Sequence, residues 1–231
     1  MAGLSVIVPC RDEKEALPAL QGQLFTELEN LKIPFEVVFV DDGSRDGTGE
    51  ALRALAAEQP RAKILEHARN RGLGAAIRTG LAAASGGWVV VLDADLSFHP
   101  RQIRALLEEQ RDADADCVCG SPFLGRLEIP SWRLWSSRLV NAGYRLILSP
   151  RLTAYTSIFR LYRAEALKSF PIRSEGFEIN AELLAFFLRR GLKVMEIPAL
   201  LTSRVCGRSK IRPFHELARH VRLAFRLLSG S

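Results

Sequence analysis

The sequence predicts an α/β fold with a Rossmann-like, mostly parallel sheet, helices on both faces and a C-terminal amphipathic helix. Three observations carry this. Short apolar runs rich in β-branched residues alternate with segments of helical spacing through the first half of the chain. The runs Leu4–Val8, Phe35–Val40 and Trp88–Leu92 each stop at charged or turn-forming residues. The closing stretch, Phe214 to Leu228, sets an apolar stripe against arginines.

Leu4 to Val8 reads as a buried strand ended by Pro9. Ala16 to Leu31 aligns Leu17, Leu20, Leu24 and Leu28 on one helical side. Phe35 to Val40 is a second strand, closed by Asp41-Asp42-Gly43-Ser44. A helix from about Asp46 to Glu58 turns Ala51, Leu52 and Leu55 inward. Lys63 to Leu65 is a third strand, and Leu73 to Ala84 a helix of small residues. Trp88 to Leu92 is a fourth strand, stopped at Asp93 and Asp95. A helix starts near Pro100, whose ring suits a first turn, and a strand lies near Cys117. Further on, Trp132 to Leu148 sets Trp135, Leu139, Ala142 and Leu146 along one helical side. Glu178 to Arg190 is a helix and Val194 to Ile197 a last strand. Phe214, Leu217, Val221, Ala224, Phe225 and Leu228 oppose Arg219, Arg222 and Arg226 on the final helix. The expected organisation is one domain over residues 1–212 and a C-terminal amphipathic helix and tail over 213–231.

At 231 residues, 48% hydrophobic and 25% charged, the chain can bury a full core, which excludes disorder and a disulfide-stapled miniprotein. Apolar runs such as Leu183–Leu188 fall far short of the roughly 18 residues a membrane span needs. The N-terminus lacks the basic start and long apolar core of a signal peptide, so the expected location is cytoplasmic. Cys117 and Cys119 share a strand face but have no second pair to complete a zinc site. With Cys10 and Cys206 they read as buried thiols. The net charge of +6 favours nucleic acid, a lipid surface or a phosphorylated substrate.

In open parallel sheets ligands bind beyond the carboxyl ends of the strands. Pro9–Glu13, Asp41–Ser44 and Asp93–Asp95 all fall at such ends. Asp93-Ala94-Asp95 can hold Mg²⁺ or Mn²⁺ through oxygen, and such a cation clamps a diphosphate; a solvated strand end is the plainer reading. Asp41 can accept hydrogen bonds from a base or ribose, while Asp46 and Thr48 can simply cap the next helix. Gly72-Leu73-Gly74 invites a dinucleotide reading, with Asp93 about 21 residues on. Ile77 at the third-glycine position makes that fingerprint incomplete, and a nicotinamide dehydrogenase is a distant alternative. Arg204, Arg208, Lys210 and Arg212 form a loop suited to phosphates or to a solvated surface. Aromatics do not interleave with these charges, so nucleic acid is not the expected partner.

The ordered set of motifs resembles the family 2 glycosyltransferases of GT-A fold, especially dolichol-phosphate mannose synthases and related polyprenyl-phosphate glycosyltransferases. It runs from VIVPCRDE (Val6–Glu13) through VFVDDGSRDGT (Val38–Thr48), NRGLGAA (Asn70–Ala76) and VVLDADLS (Val90–Ser97). WRLWSSRLVN (Trp132–Asn141), TSIFRLYR (Thr156–Arg163), GFEINAEL (Gly176–Leu183) and RVCGRSK (Arg204–Lys210) complete it. The resemblance implies a donor nucleotide pocket of Pro9, Arg11, Glu13, Asp41, Asp42, Gly72, Gly74, Asp93 and Ala94. It implies Mg²⁺ or Mn²⁺ on Asp93 and Asp95, with Asp95, Arg133, Arg204 and Lys210 as catalytic residues. Arg133 and Ser137, four apart, would meet the acceptor phosphate. Departures from the family pattern are Arg11 in place of tyrosine, and Ser97, Pro122, Ala154 and Ile158, most of them on the acceptor side.

The implied activity is inverting transfer of a sugar from GDP-mannose or a UDP-hexose to a polyprenyl or dolichyl phosphate. The alternatives are transfer to a sugar hydroxyl, with Glu178 or Glu182 as base, and a nucleotide-sugar-binding protein without turnover. A lipid substrate and no span imply a peripheral position on the cytoplasmic face of a membrane, through the C-terminal helix or a membrane partner subunit.

Overall fold

The computed structural model describes residues 3–125, 135–204 and 213–229, apart from the side chains at positions 136, 213 and 214. The strands are β1 (Leu4–Cys10), β2 (Phe35–Asp41), β3 (Ala62–Glu66), β4 (Trp88–Val91), β5 (Cys117–Ser121), β6 (Arg160–Arg163) and β7 (Val194–Pro198). The helices are α1 (Leu17–Asn30), α2 (Thr48–Glu58), α3 (Leu73–Ala83), α4 (Ile103–Ala113), α5 (Trp135–Ile147), α6 (Ala164–Lys168), α7 (Ile179–Arg189) and α8 (Pro213–Ser229). One seven-stranded sheet runs in the order β3-β2-β1-β4-β6-β5-β7.

The expected parallel pattern holds from β3 to β4, and β5 pairs β7 in parallel. Between them lies β6, antiparallel to both β4 and β5. The sequence reading contains no strand there. Arg-Leu-Tyr-Arg is four residues long with arginine at both ends, so neither apolar run nor alternation marks it. Arg160 is nevertheless fully buried. Its guanidinium donates to the carbonyls of Ala154 and Tyr155, both at 2.8 Å, and to that of Asn180, so it staples the approach to β6 onto α7.

The predicted inner positions Leu17, Leu20, Leu24, Leu28, Leu52 and Leu55 are all buried. Helix α2 starts two residues later than its spacing suggests, because Gly47 sits at φ +93°. The Asp46 carboxylate then accepts the Thr48 amide at 2.9 Å. The small residues of α3 let it lie close on the sheet: a Cβ at Gly80 would stand 2.5 Å from the Ile7 methyl. Cys10, Cys117 and Cys119 are buried free thiols, as read; Cys206 lies outside the described residues.

Helices α5 and α8 pack on each other, with the Tyr144 hydroxyl 3.0 Å from His220 Nδ1 and Leu223 buried. Their expected apolar stripes face outward. Trp135 is 74% exposed, Leu146 91% and Phe225 68%, with Leu139, Leu217, Val221 and Leu228 also exposed. Among the described residues no helix is long and apolar enough to cross a membrane.

At the opposite edge from the strand ends that carry the acids, Glu36 ties three segments together. Its carboxylate accepts the Ser5 hydroxyl at 2.6 Å and the Ser85 amide at 2.5 Å, and pairs with Lys63 at 2.6 Å. Burial pushes the carboxyl up, but Lys63, Ser5 and Ser85 outweigh it and hold it at about 2. A depressed carboxyl contributes stability that is complete above its unfolded value and lost as pH falls through the folded one. Glu36→Gln should therefore cost about 1.5–3 kcal/mol near neutrality. In urea titrations the gap between variant and parent should close as pH drops from 4.5 towards 2.

Candidate active site

Because β2, β1 and β4 are parallel and in register, their carboxyl ends open onto one rim. There a cleft of about 780 Å³ is lined by Pro9, Arg11, Glu13, Asp42, the loop from Arg69 to Leu73, and Asp93 to Asp95. Its far wall is Glu175, Gly176 and Phe177, with Arg204 and the α8 residues His215, Glu216 and Arg219. The fold thus brings together most of the residues that the sequence nominates for the donor.

Two of them stand behind the lining. The Asp41 carboxylate accepts the Ser44 amide at 3.0 Å and the Ser44 hydroxyl at 2.5 Å, closing the turn after β2. The Gly74 amide donates to the Glu175 carbonyl at 2.8 Å, and a Cβ at Gly74 would sit 2.0 Å from the Ser174 carbonyl oxygen. Gly74 is needed for close approach of two backbones. Gly72, at φ +90°, lies at the cleft and opens α3.

Asp42 is the organiser of this loop. Its carboxylate accepts the Arg71 and Gly72 amides, both at 2.8 Å, and meets His67 Nδ1 at 2.7 Å. His67 Nε2 in turn lies 2.9 Å from the Thr79 hydroxyl on α3. Sequence reasoning missed His67. A single histidine after a short strand carries no spacing signal, and its partners are 25 and 12 residues away.

Asp95 is held on one side and charged on the other. One oxygen accepts the Ser97 amide at 2.9 Å and the Ser97 hydroxyl at 2.5 Å; the other faces Arg204 Nε at 2.9 Å. Ser97, a departure from the family pattern, thus orients the carboxylate. Arg204 also reaches within 3.8 Å of Glu13. Burial and the neighbouring Asp95 charge push the Asp93 carboxyl up to about 8, against the pull of Arg204.

This corner is short of positive charge, its donors are all oxygen, and Asp95 already draws a cationic group. That chemistry fits a hard divalent cation. Among the described residues there is no group of three or more histidine, cysteine, aspartate and glutamate side chains arranged to hold a metal. The remaining ligand positions would fall to substrate oxygens and water, as such cations commonly leave them.

Arg133, Lys210, Arg208 and Arg212 lie outside the described residues. Ser137 is on α5 away from the cleft lining, its hydroxyl 2.9 Å from that of Thr156 and within 3.2 Å of the Asn141 amide nitrogen. Glu178 and Glu182, the base candidates, are buried on or beside α7 and are likewise absent from the lining.

Asp42→Ala leaves the Arg71 amide without its acceptor and the Gly72 amide with the Asn70 side-chain oxygen alone. Faster amide exchange over residues 70–73, with the β1 and β2 amides unchanged, is the expected result by hydrogen-exchange mass spectrometry.

Comparison with known proteins bears on the same features. The family model "Glycosyl transferase family 2" matches residues 5–170. The undecaprenyl-phosphate mannosyltransferase of Micrococcus luteus is 32% identical over 214 residues, covering 89% of this chain and 86% of its own. The polyprenol monophosphomannose synthase of Mycolicibacterium smegmatis is 32% identical over 216 residues, covering 89% and 80%. Among solved structures, glucosyl-3-phosphoglycerate synthase from Mycobacterium tuberculosis, in complex with Mn²⁺ and UDP-glucose, superposes with a TM-score of 0.74. It is 21% identical, covering 97% of this chain and 78% of that one, a likeness of fold. The cleft geometry, the ordered motifs and a family match spanning well over half of the sequence lead to one assignment: the chain belongs to glycosyl transferase family 2.

Proposed function

We propose that the protein is an inverting glycosyltransferase that moves mannose from a nucleotide diphosphate sugar to a polyprenyl phosphate. The observation that carries the donor half is the Asp93–Asp95 pair facing Arg204 across the cleft. The sugar and the acceptor follow the two relatives, a mannosyltransferase and a monophosphomannose synthase of polyprenyl lipids.

Asp93 and Asp95 would hold Mg²⁺ or Mn²⁺, whose charge offsets that of the departing diphosphate. Ser97 keeps Asp95 in one orientation. Arg204 is placed to exchange its carboxylate partners for donor phosphate oxygens, and the motif match assigns Lys210 to the same phosphates. Pro9, Arg11, Glu13 and the Asp42-held glycine loop would enclose the nucleoside. A phosphate oxygen of the acceptor forms the new bond to the anomeric carbon as the bond to the diphosphate breaks on the opposite face. That oxygen is already anionic, so no strong base is required. Positioning and charge stabilisation are the main work, with Arg133 and Ser137 assigned to the acceptor phosphate. Transfer to a sugar hydroxyl is the weaker reading, because Glu182 is engaged with backbone amides and Arg226.

The lipid acceptor gives the outward stripes of α5 and α8 a purpose. Trp135, Leu139 and Leu146 on one helix and Leu217, Val221, Phe225 and Leu228 on the other are exposed. Helix α5 has no acidic residue, and Glu216 is the only one on α8. Such a pair can lie in the headgroup boundary of an anionic leaflet, where each basic residue contributes about 1 kcal/mol. We assign the protein a peripheral position on the cytoplasmic face.

Activity should require a divalent cation, and Asp95→Ala should abolish transfer to polyprenyl phosphate with the circular dichroism spectrum retained. Full turnover in excess chelator would refute the metal assignment. Arg204→Ala and Lys210→Ala should each lower turnover roughly ten- to a hundredfold, the worth of a charge-assisted bond.

Phe225→Glu, at an exposed position, should release the protein from phosphatidylglycerol vesicles in flotation without loss of thermal stability. A parent protein that never floats would leave lipid delivery to another surface or to a partner subunit.

A further inference from the structure

Five consecutive backbone N–H groups, Arg173 to Phe177, end on three carboxylates. Arg173 and Ser174 donate to Glu182 at 3.2 and 2.9 Å. Glu175 and Gly176 donate to one oxygen of Glu178, both at 3.2 Å, and Phe177 donates to Glu216 at 3.1 Å. The carbonyls are held from the other side. Those of Ile172 and Ser174 accept from Arg78 at 3.3 and 2.9 Å, and that of Glu175 accepts the Gly74 amide at 2.8 Å.

This segment has no helix or strand ladder to satisfy its amides, so side chains must do it. Ionised carboxylates do it more strongly than neutral acceptors would. The result is a strap with two anchorages. On one side it is tied to α3 and the glycine loop of the cleft. On the other it is tied to α8 through Glu216 and through Arg226, which donates to the Ser174 hydroxyl at 3.3 Å and lies 3.5 Å from Glu182. Glu175, Gly176 and Phe177 are themselves cleft wall.

We infer that Glu182 and Glu216 are positioning residues through which α8 sets the donor site. Glu216 fixes the strap at Phe177, Glu182 fixes it at Arg173 and Ser174, and the strap in turn fixes Gly74 and the loop that faces the nucleotide. Neither carboxylate takes a proton from a substrate. The inference deepens the donor reading of the cleft and rests on it for the identity of the ligand.

The test compares Glu216→Ala, Glu216→Gln and the parent in three measurements: titration with UDP and GDP in the presence of Mn²⁺, amide exchange, and steady-state kinetics. Glu216→Ala should weaken nucleotide binding roughly tenfold, the effect of leaving one half-buried amide without its charged acceptor. It should also speed exchange over residues 173–177 and 70–76 alone, and raise the donor KM more than it lowers kcat. Glu216→Gln keeps an oxygen for the Phe177 amide and should restore most of all three. Glu216→Ala with parental nucleotide affinity and parental exchange over the strap would overturn the inference, as would accelerated exchange spread over the whole sheet. A parent that binds neither nucleotide would refute the donor reading, and the exchange pattern would still decide whether Glu216 orders the strap.

Discussion

The parallel register of β1 with its two neighbours is the constraint on which the rest of the molecule depends. Cys10 is level with Asp41, and Ile7 is level with Val91. Three turns rich in charge therefore leave the sheet at one edge, with no freedom to be elsewhere. The register also explains a proline in a central strand. Pairing with β4 ends at Ile7, so Pro9 falls where β1 has a ladder partner on one side only. The chain turns out of the sheet there and delivers Arg11 and Glu13 to the cleft.

Crowding acids at one rim is unfavourable unless each finds a use, and the uses form two groups that overlap only at Asp95, which also accepts the Ser97 amide. Asp41, Asp42, Glu178, Glu182 and Glu216 accept amide hydrogens from turns and loops that have no ladder of their own. They build the walls. Asp93, Asp95 and Glu13 instead share Arg204 and one another's repulsion, and they face open space. They are the acids we assign to the metal and the donor. A carboxyl pushed up by burial and by a like-charged neighbour signals a place where added positive charge is favourable, as a glycosyltransferase needs beside a leaving diphosphate.

Helix α8 serves both faces of this arrangement. Its inner side supplies His215, Glu216 and Arg219 to the cleft, and Leu223 and His220 to the packing against α5. Its outer side presents apolar residues that have nothing to pack on within the described chain. The stripe marks the helix as amphipathic in sequence, and only the fold shows that the side away from the stripe, with Glu216, His220 and Leu223, carries the structural load. Periodicity reports that one side differs from the other; it does not say which one turns inward.

The sequence by itself determined most of the order of strands and helices, the edge at which the acids gather and the family. Each of these rests on local chemistry: β-branched runs, helical spacing, turn residues at strand ends and the order of short motifs. The strand-end side of the cleft was legible for the same reason, since Pro9, Arg11, Glu13, Asp42, Gly72, Asp93 and Ala94 all lie at or beyond the ends of recognisable strands. Only the tertiary structure decided the rest. The β6 strand, the buried Arg160 staple, the His67 link from Asp42 to α3, the turn role of Asp41 and the strap at Arg173–Phe177 all depend on partners far away in the chain. Glu216 lies 39 residues from the amide it accepts, and Arg78 lies 96 from the Ser174 carbonyl. A carboxylate or guanidinium has the same local signature whether it will meet solvent, a substrate or a backbone group, because burial and the nearest unpaired hydrogen-bonding group assign its role, and both are products of the fold.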